Sequence, residues 1–91
     1  MKIIFNESAK LALKEMIGGS TENYIRIKVF YGCGRPAFEI YPSFKGDDDV
    51  EFIENDIKFI MSKSEMRGLR KLEIKYDKEV YNKGFYIRDV E

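Results

Sequence analysis

The sequence contains no histidine and no tryptophan, a single cysteine and only two prolines. Without histidine, imidazole general-base catalysis and His-ligated zinc are excluded within the chain. One cysteine cannot close an internal disulfide, which excludes a stapled secreted scaffold. No apolar run approaches the roughly 20 residues that a membrane-spanning helix needs. The opening M-K-I-I-F-N-E turns polar too early for a secretory leader, so a cytoplasmic location is expected. Net charge is also missing, since 16 basic residues balance 16 acidic ones. The richest basic stretch, Lys63 to Lys75, is itself interrupted by Glu65 and Glu73. With no basic excess, neither nucleic acid nor a membrane is expected as a partner.

What is present fits one small globular domain spanning residues 1–91. Hydrophobic residues make up 44% and charged residues 35% of the 91 positions, outside the range of disordered chains. A chain of this size buries roughly 60% of its unfolded surface and folds with little margin. Seven Phe and six Tyr, recurring along the chain, lean towards β-structure.

The periodicity gives the order of elements. Residues 2–5 form a short apolar strand. Asn6 is placed as a helix N-cap with Glu7 in the first turn, and Ala9, Ala12, Leu13 and Met16 make one helical stripe. Gly18-Gly19 stops that helix. From Asn23 the period changes to two. Ile25, Ile27, Val29 and Tyr31 share one strand face, and Arg26, Lys28 and Phe30 share the other. The next strand carries Phe38, Ile40 and Phe44, and Pro42 marks it as an edge or a bend. Residues 46–49, G-D-D-D, read as a solvated loop. Asn55-Asp56 reads as a two-residue hairpin turn between Val50–Glu54 and Ile57–Met61. Ser62–Gly68 has room for one helical turn, Leu72, Ile74 and Tyr76 alternate again, and Gly84 opens a last strand. The class is α+β, mostly antiparallel, with one N-terminal helix.

The chemistry centres on V-F-Y-G-C-G-R-P-A-F, residues 29–38. Gly32 and Gly34 leave the Cys33 thiol uncrowded, Arg35 is placed to favour its thiolate, and Tyr31 flanks it. Two readings stand side by side: a loop-tip thiolate that binds a metal, a cluster or a partner thiol, and a small hydrophobe packed in a turn. A nucleophilic enzyme would need a base beside the thiol, and there is neither histidine nor C-x-x-C, so no enzymatic role is expected. Asp47-Asp48-Asp49 lacks the alternate spacing of a calcium loop. Glu51 with Glu54, and Glu65 with Glu73, read as surface charge, and Arg67, Arg70 and Lys71 beside Gly68 as an exposed turn. Phe38, Phe44, Phe52, Phe59 and Phe85 are expected in the core.

Taken in order, these segments resemble the HesB-like, or A-type iron–sulfur carrier, family. The resemblance runs from S-A-K-L-A-L-K-E-M through I-R-I-K-V and G-C-G. It continues with V-E-F-I-E-N-D-I-K-F-I-M, S-K-S-E-M-R-G-L and L-E-I-K-Y, and closes with N-K-G-F-Y-I. It implies a compact HesB-like fold of sandwich-like β-sheets with one N-terminal helix. It also implies a role in iron–sulfur cluster biogenesis, with Cys33 as a ligand of iron or of an iron–sulfur cluster. The family's C-terminal C-x-C has no counterpart between Phe85 and Glu91, and the residues after Cys33 are altered to Gly34 and Arg35-Pro36. A cluster is normally held by four ligands. One thiolate per chain, or two in a homodimer, would need completion by glutathione, solvent or the cysteines of an assembly or acceptor protein. The alternative is a degenerate HesB-like protein-interaction module that binds no metal.

Overall fold

The computed structural model describes residues 1–19, 21–31, 36–80 and 84–90. The elements run β1 (Lys2–Phe5), α1 (Glu7–Gly18), β2 (Tyr24–Tyr31), β3 (Pro36–Ser43), β4 (Asp49–Glu54), β5 (Ile57–Ser62), α2 (Lys63–Met66), β6 (Lys71–Tyr76) and β7 (Phe85–Asp89). This is the expected α+β class.

Local chemistry sets most element boundaries. Asn6 caps α1 by accepting the Ala9 N–H on its Oδ1 at 2.9 Å. Gly19 ends the helix with right-handed backbone (φ −93°), its N–H bonding Glu15 O at 3.2 Å, so the stop is not a left-handed glycine. Asn55 and Asp56 both take positive φ, 49° and 69°, as the turn type that matches the strand twist of a two-residue hairpin demands. After α2, Arg67 (φ −58°, ψ 123°) and Gly68 (φ +83°) form a tight turn closed by Leu69 N–H to Met66 O at 3.0 Å. Glycine suits its third position, where φ must be positive.

The strands form two sheets, ordered β1-β6-β7 and β3-β2-β5-β4. β2–β3, β4–β5 and β6–β7 pair antiparallel. β1–β6 and β2–β5 pair parallel, and these joins between distant segments make both sheets mixed. β3 lies at an edge, where Pro42 removes no needed donor. Alternation then sorts the side chains. Ile3, Leu72 and Ile74 from one sheet meet Ile25, Ile27, Val29, Ile57, Phe59 and Met61 from the other in a single buried cluster. The Phe5 and Phe59 rings join the sheets at 5.9 Å. α1 packs on β6, with Ala9 and Leu13 fully buried in the same cluster. Each such Leu, Ile or Phe contributes about 1.5–3 kcal/mol.

Tyr31 keeps the expected parity of Ile25, Ile27 and Val29 and is 66% exposed, since it lies beyond the end of the buried cluster. Two expectations are corrected. Phe44 is 63% exposed, because β3 ends at Ser43 and the chain has left the sheet. Asp49 is not part of a solvated loop: it opens β4 and is 9% exposed, drawn in by Arg26. No helix is long and apolar enough to cross a membrane among the described residues.

Candidate functional site

The β2–β3 hairpin carries the G-C-G segment. Its two strands pair without interruption from Tyr24 with Ser43 to Tyr31 with Pro36. Gly32, Cys33, Gly34 and Arg35 lie outside the described residues. What is fixed is where that segment is anchored: at exposed Tyr31 on one side and at half-buried Pro36 on the other.

Pro36 also begins a groove. The edge strand of each sheet contributes one wall, residues 36–38 of β3 and residues 85–89 of β7, around about 560 Å³. Half-buried Phe38, Phe85 and Ile87 give it an apolar floor, and Arg88 and Asp89 bring charge to its rim. The last strand of the chain is thereby brought beside the strand that follows Cys33. This juxtaposition depends on the packing of one sheet on the other, and no local pattern announces it.

A second feature braces the hairpin from behind. β2 pairs with β5 only at Ile25 and Arg26, so the Val29 N–H, further towards the tip, has no strand partner on that side. Glu65 of α2 supplies the acceptor. Its Oε1 takes the Val29 N–H at 3.0 Å and its Oε2 takes Lys28 Nζ at 2.6 Å. Burial pushes the Glu65 carboxyl up, but the hydrogen bonds from Lys28 and Val29 outweigh it and hold the group below its ordinary value. The sequence Ser62-Lys63-Ser64-Glu65 has the spacing of a capping box. Ser62 makes no side-chain cap bond, and the carboxylate that would close the box reaches across to β2 instead. Glu65 is therefore a strut between helix and hairpin, not the surface charge expected of it. Glu73 is not its partner: it accepts from Arg88 Nε at 2.7 Å. Glu65→Ala is expected to cost about 1–3 kcal/mol, the penalty for orphaning a buried donor. The Val29 amide should then exchange with solvent much faster than in the wild type. Urea unfolding with amide exchange checks both, and an unchanged Val29 rate would remove the strut.

The Arg26 guanidinium forms a third polar centre on the outer face of β2. Nη1 and Nη2 donate to Asp49 Oδ1 and Oδ2 at 2.8 and 2.6 Å, and Nε donates to Ser43 Oγ at 3.1 Å. Gly46 N–H donates to the same carboxylate at 2.7 Å. Arg26, with Gly46 assisting, holds the Asp49 carboxyl down at about 2. Both oxygens of Asp49 are engaged by donors within the fold, as a structural brace would be.

Among the described residues no group of three or more Cys, Asp or Glu side chains could hold a metal ion. Arg67 and Arg70 are exposed, as expected, whereas Lys71 is half-buried and opens β6.

No protein-family model matches this chain, and no curated protein matches it significantly in sequence. Solved structures do match. The Escherichia coli protein SufA, involved in biosynthesis of iron–sulfur clusters, superposes with a TM-score of 0.75 over 98% of this chain and 86% of its own. IscA, whose crystal structure holds a [2Fe-2S] cluster, superposes with a TM-score of 0.73 over 97% of this chain and 85% of its own. Identity is 16% in both cases. At that identity the likeness is one of fold: this chain has the fold of SufA and IscA.

Proposed function

We propose that this chain is a HesB-like carrier in iron–sulfur cluster biogenesis, cytoplasmic and non-enzymatic, that takes iron or an iron–sulfur cluster as its cargo on Cys33. The observation that carries the reading is the shared fold over nearly the whole chain, with one of the two structures of that fold, IscA, holding a [2Fe-2S] cluster. On that fold the sole thiol of this chain is tethered between the last paired residues of a braced hairpin. The described residues add no ligand set of their own, so the remaining ligands would come from outside them. A homodimer contributes a second Cys33, and a small thiol or an assembly or acceptor protein contributes the rest. Exposed Tyr31 and the Arg35 charge would bias the thiol towards its thiolate form and leave it open to such a partner.

Anaerobic reconstitution with ferrous iron and sulfide tests this. The wild type should develop a visible chromophore with bound iron, and Cys33→Ser should lose it while keeping its circular dichroism spectrum. A colourless, iron-free wild type, or a chromophore that survives Cys33→Ser, would overturn the reading. The same want of a ligand cluster supports a second reading, an interaction module whose partner binding is unaffected by Cys33→Ala.

A further inference from the structure

The three strands β1, β6 and β7 sort their side chains onto two faces. Ile3, Leu72 and Ile74 are buried in the core, so Lys2, Ile4, Lys71, Glu73 and Lys75 face outward. The register carries this face across the sheet: Lys2 pairs with Lys71, Glu73 lies between Ile4 and Arg88, and Lys75 pairs with Tyr86. The face thus holds the cations Lys2, Lys71, Lys75 and Arg88 against the single acid Glu73. Arg88 engages Glu73 at 2.7 Å, whereas Lys2, Lys71 and Lys75 form no ion pair among the described residues. Lys2 and Lys71 are like charges side by side on neighbouring strands, which is unfavourable within the fold alone. The next acid along the chain, Asp77, is turned to its own loop, where it accepts the Glu79 N–H at 3.0 Å. Ile4 and Tyr86 are exposed among these charges.

We propose that this face docks an acidic segment of another protein, one whose carboxylates flank an apolar side chain. Lys71 and Lys75 are four residues apart on β6, roughly 13 Å along the strand. Between them the ladder presents Ile4 and the Glu73–Arg88 pair. Carboxylates of the segment meet Lys2 and Lys71 at one end and Lys75 at the other. Its apolar side chain lies over Ile4, where a further carboxylate would be repelled by Glu73. Charge complementarity steers and selects such an encounter. An apolar centre inside a polar rim is the usual build of a contact between proteins. Nucleic acid fits this face less well, because Arg88 keeps Glu73 ionised at its centre and phosphates call for an unbroken basic stripe. The contact makes no use of Cys33 and is independent of any cargo there.

A synthetic peptide that alternates Glu with Ser around one central Leu, titrated into the full chain carrying Cys33→Ser, tests this apart from thiol chemistry. At about 20 mM salt the amide shifts should concentrate at residues 2–4, 71–75 and 86–88, and at about 300 mM salt, where screening acts within ~10 Å, binding should weaken at least about tenfold. Lys71→Glu/Lys75→Glu should weaken it at least about tenfold at low salt, and Lys2→Glu, at an exposed position, should weaken it about threefold. Lys71→Gln/Lys75→Gln, with a smaller loss than the charge reversal, guards against a folding artefact. The same peptide with serine in place of its leucine should bind at least about threefold more weakly, because the apolar contact is gone. No binding at about 1 mM peptide, or shifts centred on another surface, overturns the proposal. Tighter binding of a single-stranded oligonucleotide of equal charge, or of vesicles made from equal parts phosphatidylserine and phosphatidylcholine, also overturns it, since the face would then select phosphate.

Discussion

Asp49→Ala is expected to lower the free energy of unfolding by about 3–5 kcal/mol, the loss typical of breaking a buried ion pair from one side. The side chains of Arg26 and Asp49 are 18% and 6% exposed, and the guanidinium keeps only Ser43 Oγ and the Phe44 carbonyl once the carboxylate is gone. The Gly46 N–H is orphaned in the same step. Against the about 5–15 kcal/mol of a small domain, that loss is large. The pH dependence distinguishes this cause from simple loss of packing. The native carboxyl is held at about 2 against an ordinary 3.8, so its contribution is present above pH 3.8 and is lost as pH falls through about 2. The shift is worth about 2 kcal/mol. Urea unfolding at neutral pH should show the full difference between wild type and variant, and at pH 2 the two should approach each other. A gap that stays constant with pH would mean the carboxylate is not the cause. Replacing both partners, Arg26→Met with Asp49→Leu, should recover much of the loss, because no uncompensated charge remains.

The same residue marks where local reading of the chain stops working. The β4–β5 hairpin was legible because period-two alternation and Asn55-Asp56 are local, and the turn they specify needs nothing else in the molecule. Asn6 was legible for the same reason. Asp49 was not. Three consecutive aspartates look like one solvated unit, and only the position of Arg26, 23 residues earlier, pulls the third into the sheet. Phe44 failed in the opposite sense: its parity continues that of Phe38 and Ile40, but the strand has ended. The parallel pairings of β1 with β6 and β2 with β5 join segments far apart in the chain, and no turn chemistry fixes them.

The candidate site divides along the same line. The glycines and arginine around Cys33 could be read directly, because they are contiguous. The groove between β3 and β7, and the Glu65 strut, could not, because each brings together segments whose meeting depends on how the two sheets and α2 assemble. One signal did lie in the sequence. Arg26 and Lys28 share the outer face of a single strand, and two cations on a half-buried face require two acids from elsewhere; Asp49 and Glu65 are those acids.

Gly84→Ala is expected to cost about 2–5 kcal/mol, and the reason lies in the closing N-K-G-F element. Gly84 sits at φ +87°, where a side chain is disfavoured by about 1–2 kcal/mol. An added Cβ would also lie 2.7 Å from Tyr76 Cε1, inside contact distance. The ring cannot yield freely, since it packs on Phe85 with centroids 4.7 Å apart, so overpacking adds about 1–3 kcal/mol. The Gly84 carbonyl meanwhile accepts the Asp77 N–H at 2.8 Å, which fixes the chain where it enters β7. A double-mutant cycle separates the two causes. In a Tyr76→Leu background the same substitution should cost only the conformational part, about 1–2 kcal/mol, and an undiminished cost would show that the ring is not the obstacle. The consequence reaches the candidate site, because Phe85 and Ile87 of β7 line the groove that starts at Pro36. If β7 shifts to relieve the clash, the groove wall moves with it. Gly84→Ala should therefore perturb the amide resonances of residues 36–38 across the groove, and leave those of the Asn55-Asp56 turn, on the far edge of the other sheet, unchanged.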